Sequence, residues 1–364
     1  MTSTAIAIAA GGGGDVVAAS VLAQRLRHRF DVVAIMSYSW DRLIVDPTPG
    51  PRGLGDFDGL TSHHELVAQV TVSTVLRGPG RSTLPPLAHY VGCPLLLMDP
   101  VGGVAGLAAQ FGAASRVFGA QTLLVVDVGG DILAEGTEAG LRSPLADSMS
   151  LAAAVRSGLG LHLLVAGLGL DGELTPPELT SLLQRHGATE VAELGAADVT
   201  RFAEVWNWHP SEASGLLCVA ADGWRGRVET QRDALIDITD DATIVYEVDA
   251  YGVAANSLAA NLIATTSLAD AEQRVRTRRG YSDIDIERDR VPALARHDEW
   301  TPAADTVGAI DRYAYAAANR GVNALTIRRV LELAGASGAG AATRLRELLK
   351  CERPHNMRPP LYLA

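Results

Sequence analysis

Five short apolar runs constrain what this chain can fold into more than anything else in it. They are Thr4 to Ala10, Asp31 to Met36, Leu95 to Met98, Thr122 to Val126 and Leu161 to Leu168. Each is of strand length, and stretches of helical periodicity separate them. Strands that are apolar on both faces belong in a parallel sheet covered by helices on each side. The opening unit makes the point. Thr4 to Ala10 leads into Gly11 to Gly14, and Asp15 to Phe30 sets Val17, Leu22 and Leu26 against Arg25, Arg27 and Arg29 before the next run begins. Strand, loop, helix, strand is a right-handed βαβ unit. The expected fold is α/β: a Rossmann-like, doubly wound, mostly parallel sheet over residues 1–290. Amphipathic segments at Thr326 to Leu333 and Ala341 to Leu349 predict a helical extension over 295–364, for packing or for dimerisation into a homo-oligomer.

What ends these runs carries the chemistry. Asp99 follows one run, Asp127 and Asp131 flank the Gly129-Gly130 pair after another, and Asp171 follows a third, while Asp15 closes the glycine loop. Carboxylates are expensive inside a dry sheet. They are tolerable at the carboxyl edge, where open α/β sheets bind ligands. Any one of them suits a helix cap or turn. Collected along one edge, they predict a site for a hard divalent cation or a cationic substrate. Asp99, Asp127, Asp131 and Asp171 are therefore the candidate metal ligands, with magnesium or manganese as the expected ion.

The glycine loop does not predict a dinucleotide. It reads GGGGDV, with Val16 where a G-x-G-x-x-G fingerprint ends in glycine, and the second strand ends in Ser37-Tyr38-Ser39 without an acid for a ribose. NAD is not expected, and no P-loop Lys-Ser/Thr pair follows. Gly11, Gly12, Gly13, Gly14, Asp15, Gly129 and Gly130 are expected to lie against a substrate, joined by Arg142, Ser143 and Asp147 from the segment GLRSPLADS. Ser143 before Pro144 also fits a helix N-cap. In WNWHPSEASG, His209 and Glu212 are candidates to move a proton and Ser211 to bind or cap. His63, His64 and Glu65 are expected to be solvated, and Arg225 and Arg227 to lie on an edge strand.

The totals exclude some classes. A net charge of −11 over 364 residues disfavours nucleic acid and anionic membranes. Cys93, Cys218 and Cys351 have no paired spacing, and the first apolar run breaks at Gly11, too soon for a signal peptide or a span. A cytoplasmic protein is expected.

The segments AIAAGGGGDVVAA, MDPVGG, DVGGDILAEGTEAGLRSPLADS, GLGLDGEL and HPSEASG…RGRVE resemble the domain-of-unknown-function family 1152, from the N-terminus to about residue 285. That resemblance implies a Rossmann-like α/β fold and no particular reaction. The acid-glycine block also resembles the motif of the D-glutamate cyclases, which use a divalent metal, and one motif transfers no residue roles. The expectation is a metabolic enzyme acting on a small, amino-acid-like polar substrate by hydrolysis, dehydration or cyclisation. The alternatives are a non-catalytic nucleotide or metabolite sensor, and an ATP-using transferase with phosphate at the glycine loop. No G-x-S-x-G elbow or HExxH pair is present.

Overall fold

The structure, a computed structural model, describes residues 2–294 and 300–364. Residues 295–299, where the expected extension begins, lie outside the described residues. Among the described residues sixteen strands occur in chain order: β1 Ser3–Ala9, β2 Phe30–Ser37, β3 Phe57–Asp58, β4 Thr61–His64, β5 Val67–Val70, β6 Val75–Leu76, β7 Leu95–Leu97 and β8 Thr122–Val128 come first. They are followed by β9 Gly160–Ala166, β10 Thr189–Glu193, β11 Gly226–Glu229, β12 Leu235–Ile238, β13 Ile244–Val248, β14 Ala324–Thr326, β15 Met357–Arg358 and β16 Leu361–Leu363.

Nine of them form one sheet in the order β10-β13-β9-β8-β1-β2-β7-β5-β4. The five central strands, β9 to β7, run parallel, and antiparallel pairs close both edges. The fold is a Rossmann-like, mostly parallel α/β sheet, as the apolar runs require. Alternation along β1 shows why: Ile6 and Ile8 enter the core on one face, and Ala5, Ala7 and Ala9 enter the core on the other. The helices Gly103–Phe118 and Pro144–Ser157 cover the first face, through Leu107, Phe111, Leu145 and Met149. The helices Asp15–Arg25 and Glu212–Ala221 cover the second, through Val17, Leu22, Leu216 and Leu217.

Strand order decides where a ligand can sit. The chain steps outward from β1 through β2 to β7, then crosses back to build β8 and β9 on the other side of β1. The direction of winding reverses between β1 and β8, and connections leaving their carboxyl ends diverge there to leave a crevice. The glycine loop leaves β1 at this point, and Asp127 lies at the last-but-one position of β8.

The C-terminal part is largely helical, with Thr306–Ala318, Ile327–Leu333 and Ala339–Glu352 around their own apolar cluster. It also supplies β14, β15 and β16 to a five-stranded sheet ordered β12-β11-β14-β16-β15. β14 runs parallel to β11, so this region is stitched to residues 226–238. Periodicity predicted the helices, while strands of two or three residues are too short to show a period.

Candidate functional site

An elongated cleft of about 190 Å³ opens over the carboxyl ends of β1 and β8. Its floor is acidic. Asp127, Asp131 and Asp147 each place a carboxylate oxygen within 4.8 Å of the other two, and all three side chains are buried. They reach the floor from different elements: Asp127 from β8, Asp131 from the turn after it, and Asp147 from the first turn of the helix Pro144–Ser157. Asp15 from the start of the first helix, Asp171 and Glu173 from the loop after β9, and Asp283 complete this end.

The glycines exist to let these acids approach. Gly129 and Gly130 both hold positive φ, 122° and 100°. A side chain at Gly129 would fall 2.1 Å from Asp171 Oδ2, so any other residue would push the β8 turn off the β9 loop. The turn then directs the Gly130 N–H onto Asp127 Oδ2 at 2.8 Å. A Cβ on Gly11 would meet Asp15 Oδ2 at 2.6 Å and Asp147 Oδ1 at 3.0 Å. Gly11 donates its N–H to Asp15 Oδ2 at 2.8 Å. The loop's first donor is therefore taken by a carboxylate, and the loop faces acids, which is the wrong surroundings for a phosphate.

Some of these acids are satisfied and some are not. Glu173 accepts the Arg142 N–H at 2.6 Å, the Ser143 N–H at 3.0 Å and the Ser143 hydroxyl at 2.6 Å. Asp283 accepts the Leu145 N–H at 2.7 Å. Asp147 Oδ1, Asp171 Oδ2 and the second oxygen of Asp283, Oδ1, are shielded from solvent and accept no hydrogen bond among the described residues. Native proteins rarely leave buried oxygens bare, so these are the positions at which a further donor or a cation would fit. Burial, and then the charge of Asp127, push Asp15 up to about 7. Burial pushes Asp127 up to about 6. Burial, reinforced by neighbouring carboxylates, holds Asp131, Asp147 and Asp171 well above the usual range. Without a cation this floor keeps some of its protons.

The rim is basic. Arg42, Arg142, Arg232, Arg290 and Arg328 line the mouth, each from a different segment of the chain. Arg328 belongs to the C-terminal region, so that region completes the cleft as well as packing against the rest of the protein.

Of the residues proposed from sequence, Asp127, Asp131, Asp171, Asp15, Asp147, Gly11 to Gly14, Arg142, Ser143, His209, Ser211 and Glu212 do line one cleft. Four assignments change. Asp99 lies outside it: β7 is two strands from β1, about 10 Å along the sheet, and the carboxylate accepts the N–H groups of Leu54 and Val101. Asp147, expected to touch substrate, stands in the carboxylate triad where Asp99 was expected. Glu212 accepts the Gln231 N–H at 3.1 Å and the Thr326 hydroxyl at 2.5 Å, and lies 3.5 Å from an Arg328 nitrogen. It pins the helix Glu212–Ala221 to the C-terminal region and has little freedom to move a proton. His209 is buried beside Trp206 and Trp208, accepts the Ser211 N–H on Nδ1, and is held down to about 3 by burial. A ring so reluctant to protonate is a poor general base.

Smaller roles also shift. Ser143 takes the N-cap position but spends its hydroxyl on Glu173, whereas Ser211 caps its helix by accepting from Ser214. Gly129 and Gly130, expected against the substrate, are not part of the cleft lining and instead shape the turn behind it, whereas Gly11 to Gly14 line it, and a Cβ on Gly11, Gly13 or Gly14 would meet Asp15, Thr83 or Ser211. His63 and His64 lie on the exposed strand β4. Arg225 and Arg227 pair with Asp240 and Asp237 away from the cleft. Sequence reasoning missed Asp283, Arg42, Arg232, Arg290 and Arg328. Only Asp283 had a readable signal, as one of the acids in YSDIDIERDR.

Among the described residues no helix is long and apolar enough to cross a membrane. No curated protein and no solved structure matches the chain. A family model described as a protein of unknown function, DUF1152, matches residues 6–291. With about four-fifths of its length matched, the chain belongs to the DUF1152 family.

Proposed function

We propose that this protein is a metal-dependent enzyme of small-molecule metabolism. It would bind a divalent cation, magnesium or manganese, through Asp127, Asp131 and Asp147, and act on a small, amino-acid-like polar metabolite by hydrolysis, dehydration or cyclisation. One observation carries the reading: three buried carboxylates from three elements share a space under 5 Å across, and one of them, Asp147, turns a bare oxygen into it. All-oxygen donor sets suit hard cations. Such an ion supplies a Lewis acid that polarises a carbonyl or lowers the pKa of water.

The chain's own groups do the rest. Asp171 lines the same cleft, and its Oδ2 has no competing hydrogen bond, which suits it to give or take a proton. Glu173 fixes the Arg142–Ser143 backbone at the entrance to the Asp147 helix, and so sets where Asp147 points. Arg142 faces the cleft with a guanidinium able to hold a substrate carboxylate. Three free cysteines suit a reducing, cytoplasmic setting.

Titration of the metal-free protein with Mn²⁺, followed by the loss of the free-ion electron paramagnetic resonance signal, tests the reading. One tight ion per chain is expected, and Asp131→Asn should weaken it by at least about tenfold, the worth of one charge-assisted contact. A wild-type protein that leaves Mn²⁺ free at millimolar concentration would rule the proposal out.

A further inference from the structure

The arginine rim has no role in holding a cation. Several arginines elsewhere answer carboxylates, among them Arg29 with Glu247, Arg52 with Asp46, Arg276 with Asp285, Arg329 with Glu229 and Arg353 with Asp311, all within 3 Å. Others, such as Arg25, Arg156 and Arg201, bond backbone carbonyls or a hydroxyl. At the mouth, the side chains of Arg42, Arg142, Arg232 and Arg290 reach no carboxylate among the described residues. Acids do lie near it. Glu287 is occupied by the Trp40 Nε1–H at 3.0 Å and the Gly50 N–H at 2.8 Å, Glu212 has Arg328 as its one arginine partner, and Glu332 takes the Arg232 N–H and pairs with Arg329. The five guanidinium groups still outnumber these carboxylates, in a chain whose net charge is −11.

This concentration of like charge is unfavourable by itself. Burial, and then Arg290, Arg142 and Arg42, bring Arg232 down to about 10. Arg328 likewise falls to about 10, chiefly by burial, with Arg42 and Arg232 working against the help it receives from Glu212. The backbone is also forced. Arg232 and Asp233 hold φ of 64° and 59°, the only non-glycine positive values among the described residues. They are kept there by the Arg232 N–H on Glu332 at 3.0 Å and by the ion pair between Arg329 and Asp233. Repelling charges gathered from five segments, one of them on a strained turn, are the signature of a site completed by an anion.

We propose that this rim receives the phosphate of a phosphate-monoester metabolite, with the organic part of the molecule reaching down to the acidic floor. The inference rests on reading the cleft as a substrate site and not on the metal. A carboxylate would neutralise one of the surplus charges. A phosphate dianion neutralises two and offers three oxygens to planar donor forks, which is the geometry guanidinium groups recognise best. The two ends of the cleft then have separate tasks: arginines hold the phosphate, and the carboxylates address the atoms that react.

Calorimetric titration of the full-length protein with inorganic phosphate, and in parallel with acetate at equal ionic strength, tests this. Phosphate should bind at millimolar concentration or below, and acetate at least about tenfold more weakly. Arg42→Met and Arg142→Met should each weaken phosphate by about tenfold or more, while binding Mn²⁺ as the wild type does, which also shows that they fold. Phosphate that binds no better than acetate to the wild type, or equally well to both variants, overturns the proposal whatever the variants' stability. Manganese bound with phosphate ignored sinks the phosphate site and spares the metal reading. Phosphate bound with manganese ignored does the reverse.

Discussion

Removing the charge of Asp147 should make the metal-free protein more stable and the metal-loaded protein less so. With carboxylate oxygens up to 4.8 Å apart, each ionised pair repels by about 3.5 kcal/mol at an effective dielectric constant of about 20. Protons held on part of the floor, and the helix N-terminus under Asp147, reduce the relief that Asp147→Asn can bring to about 1–3 kcal/mol at pH 8. Unfolding entropy of about 2.1 cal/mol/K per residue gives roughly 0.8 kcal/mol/K for 364 residues. The variant should therefore melt about 1–4 °C higher than wild type in chelator. Saturating Mn²⁺, at about a hundred times its Kd, should add about 2.7 kcal/mol or 3.5 °C to the wild type and, with affinity weakened about tenfold or more, at most about 1.4 kcal/mol or 2 °C to the variant. Differential scanning calorimetry with EDTA and with Mn²⁺ reads all four states. An Asp147→Asn protein that melts below wild type in EDTA, or gains as much from Mn²⁺, would refute the claim that Asp147 is an uncompensated charge awaiting a cation.

Two further outcomes follow from the same physics. The metal-free protein should lose stability as pH rises from about 4 to 7, because Asp15, Asp41, Asp127 and Asp283 have folded pKa values of about 6 to 7 against about 3.9 unfolded. The folded state then binds more protons across that window, so deprotonation favours unfolding. Below it the sign reverses. Glu247, drawn down to about 2 by the His162 and Arg29 hydrogen bonds, contributes stability that is lost as pH falls from about 4.5. Melting temperature against pH in EDTA should peak near pH 4–5, and a curve that climbs from pH 5 to 7.5 contradicts this. Separately, Glu229 is buried on β11 and accepts from Tyr313 at 2.5 Å, Arg320 at 2.8 Å and Arg329 at 2.9 Å. Glu229→Gln removes the buried one of the three carboxylates around Arg329, which keeps Asp233 and Glu332, and should cost about 1–3 kcal/mol, or roughly 1–4 °C. A calorimetric loss below about 1 °C would show that this network does not bind the C-terminal region to β11.

How much of this was legible beforehand depended on range. The five parallel strands were readable because each is apolar on both faces, and the Gly129-Gly130 turn because only glycine lets Asp127 and Asp171 come so close. Asp99 looked equivalent to Asp127, since both follow an apolar run. What separates them is strand order, which no local pattern encodes: β8 borders the switch point and β7 does not. His209 and Glu212 misled for the opposite reason. Their closeness in sequence suggested a shared task, but one is sealed against tryptophan rings and the other is tied to Thr326 and Arg328, both more than a hundred residues away. Of the arginine rim only Arg142 was legible, from its place in GLRSPLADS. The others come from separate loops and helices, and nothing local to each marks it as part of one mouth.

The pairing of β11 with β14 has a consequence for how the molecule can be divided. The family match stops at residue 291, yet Val228 and Glu229 take their ladder partners from Ala324 and Leu325. A chain ended at the match would bare a strand edge ready to stick to its copies. It would also strand the Glu229 carboxylate in a half-open core and strip Arg328 from the mouth. The smallest piece able to fold and to hold its ligand is therefore longer than the segment by which its relatives are recognised.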